Sequence, residues 1–182
     1  QEIYLTAEQK QAYKDQLDAF YNRYVQEVDD LENRAQLRVF NTELTNQLHT
    51  LMDEAVLENE KNLVSSLVTE KYNEDKANIE GLTGLTTEER QAKLDELLTV
   101  RDDAFAYISS ETNLQTLRSN KDPLLAQLVE VYNDSVKDVA TKEVMALYNE
   151  KVTKINGLTD LREQRRQELL DEAALIVKDF RT

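Results

Sequence analysis

Chemistry in a protein usually starts from a few side chains that can take or give a proton, attack a carbon or hold an ion, and this chain carries few of them. His49 is its only histidine and it has no cysteine. A Ser–His–Asp arrangement would depend on His49 alone, and no serine stands in the glycine-flanked turn that exposes a nucleophile. A di-iron bundle needs Glu-x-x-His pairs, and the residue three before His49 is Asn46. The acidic pairs Asp29–Asp30 and Asp102–Asp103 lack the further oxygen ligands and the spacing of a calcium loop. Neither glycine-rich nucleotide fingerprint occurs. The sequence therefore names no catalytic residue, no metal ligand and no cofactor, and a non-enzymatic protein is expected.

Aromatic residues are the more informative candidates. Tyr13, Phe20, Tyr21 and Tyr24 crowd one stretch, and tyrosine is enriched where proteins meet other proteins. The same spacing also suits a core stripe. Tyr13 and Phe20 cannot share one seam with Tyr21, so part of the set is expected at the surface as a protein-binding face. The basic run Arg162–Gln167, "REQRRQ", reads as a solvated helix face. Arg38 and Arg118, at equivalent positions of the repeat described below, suggest a repeated salt bridge or carbonyl contact.

Helices must position all of these residues. There are three glycines and one proline in 182 residues, and from Gln1 to Glu80 there is neither. Long windows of Ala, Leu, Glu, Gln, Lys and Arg without a breaker predict an all-α protein. The net charge of −14 disfavours nucleic acid and anionic membrane, both of which need clustered Lys and Arg. The longest apolar runs, "AFAYI" and "AALIV", fall far short of the ~18 residues of a membrane span, so no membrane insertion is expected. The start at Gln1, without Met, reads as a processed chain or an excised fragment.

The chain repeats itself. Shifted by 80, Leu5, Thr6, Glu8, Gln11, Ala12, Asp15 and Leu17 fall on Leu85, Thr86, Glu88, Gln91, Ala92, Asp95 and Leu97. Leu37, Arg38, Leu44 and Leu48 fall on Leu117, Arg118, Leu124 and Leu128. After Val56 the offset drops to 76, and "YNEDKANIEGLTGL" from Tyr72 lies over "YNEKVTKINGLTDL" from Tyr148. A register held this long predicts tandem units: helical-bundle repeats over 1–84 and 85–160, with 161–182 as the first helix of a further repeat or a C-terminal capping helix. It also predicts like surroundings for Leu17 and Leu97, and for Leu48 and Leu128.

Within a unit, Thr6 and Thr86 read as N-caps, and Thr86 with Glu89 as a capping box. The first helix is expected to end near Asp30, and Asn33 and Asn113 to cap the next. A further break is expected at Thr42–Glu43 and at Asp122–Pro123, where proline suits the first helical position. A last helix would open near Asn59 or Thr141 and close on a left-handed Gly81 or Gly157. Three helices per unit predict antiparallel three-helix bundles joined end to end as an elongated rod.

The junction phrases "IEGLTGLTTEERQAKLDEL" from Ile79 and "INGLTDLREQRRQELLDEA" from Ile155 resemble the junctions of FIVAR-type repeats, helical modules of Gram-positive cell-wall proteins. "ATKEVMALYNEKVTKI" from Ala140 resembles the last helix of the GA-type albumin-binding module, and the unit length resembles that of DUF1542 repeats of surface proteins. The resemblance implies an extracellular segment of a bacterial surface protein, serving as stalk and as adhesin for a host plasma or matrix protein. An intracellular, spectrin-like scaffold is the alternative reading.

Overall fold

The computed structural model describes residues 3–181, with side chains as far as Lys178; Gln1, Glu2 and Thr182 lie outside the described residues. The protein is all-α, as expected, and no strand occurs among the described residues. Its helices are α1 (Ala7–Glu27), α2 (Arg34–Gly81), α3 (Thr87–Ser110), α4 (Leu114–Asn156) and α5 (Glu163–Arg181), with a 3₁₀ turn at Val28–Asp30 after α1.

Local chemistry sets the starts. Thr6 accepts from the Gln9 amide at 3.2 Å, while the Gln9 side chain accepts from the Thr6 amide at 2.8 Å. Thr86 and Glu89 repeat this reciprocal pair at 3.2 and 2.9 Å. Each pair satisfies two amides that the first turn leaves free. Asn33 Oδ1 accepts from Ala35 and Gln36, and Asn113 Oδ1 from Thr116. The starts of α1 and α3, Ala7 and Thr87, and of α2 and α4, Arg34 and Leu114, thus keep the repeat offset of 80.

The interior breaks expected at 42–43, 59, 122–123 and 141 do not form. α2 and α4 run unbroken for 48 and 43 residues, with Pro123 inside α4. Residues 5–84 accordingly hold two α-helices, one short and one long, rather than three. An interior proline costs about 3 kcal/mol through its missing N–H and its ring. On α4 that cost is offset by Leu117, Leu124, Leu128 and Val131, all buried on one stripe, each worth about 1.5–3 kcal/mol. Thr42, read as a break, donates its hydroxyl to the Arg38 carbonyl at 2.9 Å and stays helical.

The glycine joints also differ from expectation. Gly81 is the last residue of α2, and neither it nor Gly157 has positive φ. Both helix ends tighten instead by a 3₁₀-type bond, Leu82 N to Ile79 O and Leu158 N to Ile155 O, each 3.2 Å, so no left-handed residue is needed there. Gly84, three residues on, takes φ +96°. A Cβ at Gly84 would lie 2.9 Å from Val139 Cγ1, so the turn requires glycine on two counts.

The chain divides into two compact units, residues 1–70 with 102–125 and residues 71–101 with 126–182. In the first, segments of α2, α3 and α4 meet pairwise. Arg118 bonds Glu60, Lys61 Nζ donates to Ser109 O at 2.8 Å, and Asn120 donates to Tyr107 Oη at 2.7 Å. Val64, Val68, Ile108 and Leu117 are buried in this unit, and α1 lies against α2 through the contacts described below. In the second, Arg101 stacks over the Tyr72 ring at 4.6 Å and Lys93 pairs with Asp138 at 3.7 Å. Lys142 pairs with Glu89, and Ile79, Leu97 and Leu128 are wholly buried.

Candidate protein-interaction face

The aromatic stretch lies on α1, in the first unit, and its four members part company. Tyr13 and Phe20 are half-buried, while Tyr21 is 67% exposed and Tyr24 36%. Burial first, then the carboxylates of Glu58 and Glu54, raise the pKa of the Tyr13 hydroxyl. That places Tyr13 beside α2. Tyr24 stacks on Phe40 of α2, ring centroids 6.0 Å apart, while its outer edge stays in solvent. Offset stacking of this kind adds about 0.5–1.5 kcal/mol beyond area burial.

Polar contacts pin α1 to α2 at both ends. At its start, Tyr4 N donates to Asn59 Oδ1 at 2.6 Å, Asn62 donates to Tyr4 O at 3.1 Å, and Gln9 donates to Glu58 at 2.6 Å. At its end, Arg23 reaches Glu27, Glu43 and Gln47 at 2.9–3.3 Å and lies over the Phe40 ring. Between these ends the packing is thin, and α1 contributes no buried residue. Leu17, Tyr21, Tyr24 and Val25, spaced by four, three and one, share the open side of the helix.

Leu17 and Leu97 therefore do not share surroundings. Leu17 is 47% exposed and Leu97 is 0%. α3 is contacted from two sides, by α2 through Tyr72–Arg101 and by α4 through Lys93–Asp138, whereas the contacts of α1 described above lie with α2. Leu48 is half-buried where Leu128 is fully buried. Position in the fold, and not residue type, separates the copies.

The remaining candidates are placed as follows. His49 is exposed on α2, and Asp29–Asp30 are exposed in the 3₁₀ turn, as are Asp102–Asp103 on α3. Among the described residues no group of three or more His, Asp or Glu is arranged to hold a metal ion. Among the described residues no helix is long and apolar enough to cross a membrane. Arg118 puts Nε and Nη2 on Glu60 Oε2 at 3.0 Å each; Arg38, its counterpart, has no ion pair among the described residues. Arg166, within the basic run, is more than a solvated charge. It donates to Leu158 O at 2.9 Å, as Arg90 does to Leu82 O at 2.7 Å. The same bond thus closes both glycine joints, eight residues from its acceptor each time. The signal was present in the alignment, where Arg90 and Arg166 coincide at offset 76.

An apolar groove of about 220 Å³ lies between α4 and α5 in the second unit, lined by Val144, Leu147, Tyr148, Lys151, Ala173, Ile176 and Val177. Among its described lining residues Lys151 is the one charged side chain. Comparison of the chain with family models, curated proteins and solved structures gives no match.

Proposed function

We propose that this chain is a non-enzymatic segment of a bacterial cell-wall surface protein, acting as stalk and as binding module for a host plasma or matrix protein. The observation that carries the reading is the recurrence of a short and a long helix in the same register, with an aromatic and aliphatic stripe left open on α1. A stalk needs a unit that can be added again and again, and the repeat supplies one. In this reading antiparallel three-helix packing recurs along an elongated rod: the second half of one long helix, the next short helix and the first half of the next long helix share a core. Sequence units 1–84 and 85–160 provide its period, and 161–182 opens another.

The surface location rests on the resemblance of the "GLT" junctions to those of cell-wall repeats. The binding role rests on Tyr21 and Tyr24, amphipathic rings of the type that anchors protein interfaces. Chain immobilised through its C-terminus, exposed to plasma and to matrix extract, should retain a specific protein, and Tyr21→Lys should release it. Retention of nothing, or retention indifferent to that substitution, removes the binding role and leaves a spacer.

A further inference from the structure

The first unit contains both a filled and an unfilled version of one helix-packing arrangement. In the filled version, the start of the second half of α2 lies against the end of α3 and the start of α4. Glu60, 6% exposed, takes both Nε and Nη2 of Arg118, and Lys61 Nζ donates to the Ser109 carbonyl. One and two turns on, Val64 and Val68 are wholly buried, as is Leu117. In the repeat register the receiving residues Leu117 and Arg118 correspond to Leu37 and Arg38, and α3 corresponds to α1. There the same residue types stand open: Leu37 is 36% exposed and Arg38 has no ion pair among the described residues.

We propose that the open side of the α1–α2 hairpin is a docking face for an amphipathic α-helix that carries a carboxylate one turn ahead of a Val/Ile stripe. The inference rests on the repeat reading above, since the register supplies the template. The carboxylate pairs with Arg38 as Glu60 pairs with Arg118, and the stripe covers Leu17, Tyr21 and Tyr24. Its direction follows from the template. Glu60 and Lys61 sit by the end of α3, so the docked helix starts near Val28 and runs back along α1. A guanidinium held beside an apolar stripe selects for a carboxylate in that one place. Neither long helix of a second copy meets the requirement. On α4 Glu60 has no counterpart, since residues 57–60 fall in the gap where the offset drops from 80 to 76, and the Glu60 stripe of α2 is already buried against α3 and α4.

The test is a peptide of residues 57–76 titrated into the full chain, followed by amide NMR. Saturable shifts confined to α1 and residues 34–38 are expected. Arg38→Glu should weaken binding by about tenfold or more, as expected for a charge pair broken at one partner. A peptide with Glu60→Arg should recover most of the loss on the Arg38→Glu chain. Because a free peptide pays to become helical, residues 55–84 grafted ahead of Leu5 give a second measurement. Hydrogen exchange across α1 should then slow by about tenfold or more, and Arg38→Glu should reverse it. Shifts elsewhere, indifference to Arg38→Glu, or unchanged exchange in the grafted chain overturns the proposal. So does concentration-dependent dimerisation abolished by Tyr21→Lys, which would assign the face to a second copy. Plasma capture is read independently, so a failed helix dock leaves the adhesin reading standing or falling on its own result.

Discussion

At the scale of single residues, Asp75 is a carboxyl held where its charge is unfavourable. Its side chain is wholly buried on α2, with Lys71 Nζ 3.0 Å from Oδ1 and Glu74 adding a like charge. Burial outweighs the ammonium and raises its pKa above the ordinary 3.8. A carboxyl whose folded pKa is raised binds its proton more tightly when folded. Its charged form therefore lowers stability at neutral pH, and this loss is relieved as pH falls through the folded pKa. Asp75→Asn should raise the Tm at pH 7, and the gap to the unsubstituted chain should close on acidification toward pH 3.8. Thermal melts of both chains across that range read the effect; a lower Tm for Asp75→Asn at neutral pH would mean that the Lys71 pair dominates. The opposite sign holds for Glu89, whose pKa is lowered by Lys142 and by the Thr86 amide. Its contribution is present above the ordinary carboxylate range and lost as pH falls through the lowered value.

Glycine gives a second prediction at this scale. Gly84→Ala meets both an unfavourable φ and Val139, and should cost about 1–3 kcal/mol in denaturant melts. Gly81→Ala meets nothing within 4 Å at the end of a helix and should be neutral or stabilise by up to about 1 kcal/mol. The joint phrase was readable in the sequence, but which of its glycines bears the strain was not. That depends on where the chain turns after α2 and on Val139, which is 55 residues away from Gly84 along the chain.

At the scale of elements, the helix starts after Thr6, Asn33, Thr86 and Asn113 were legible, whereas the breaks and new starts expected inside α2 and α4 do not occur. A cap is local: Thr86 and Glu89, or Asn33 and the amides after it, need only one turn of chain. Whether a helix stops at Asp122–Pro123 depends on what its flanks bury. The stripe of Leu117, Leu124, Leu128 and Val131 passes on both sides of Pro123, and breaking the helix would turn part of it away from the core. Pro123→Ala should therefore stabilise the protein by up to about 3 kcal/mol while leaving far-UV circular dichroism nearly unchanged. A clear gain of helix signal would show that the segment is broken in solution.

At the scale of the whole molecule, the repeat makes a comparison that a single domain would not allow. Leu17 and Leu97 occupy the same place in the register, yet their truncations should differ. Leu97→Ala should cost about 2–5 kcal/mol, because it empties a packed site. Leu17→Ala, on an open face, should cost about 0.5 kcal/mol or less. Urea melts of the two variants measure the contrast, and equal losses would mean that α1 is covered in solution. The candidate face could be read from sequence only as a cluster. The spacing of Tyr13, Phe20, Tyr21 and Tyr24 admits both a core and a surface stripe, and the packing of α1 on α2 decides which side is taken.

The sequence by itself determined the all-helical class, the capped helix starts after Thr6, Asn33, Thr86 and Asn113, and the repeat register. These follow from propensity, capping and periodicity, which act within a few turns of chain. Only the tertiary structure decided that α2 and α4 run through, that Gly84 takes the left-handed turn, and that like leucines are buried in one copy and open in the other. Burial depends on neighbours far along the chain, and two identical residues can differ in nothing else.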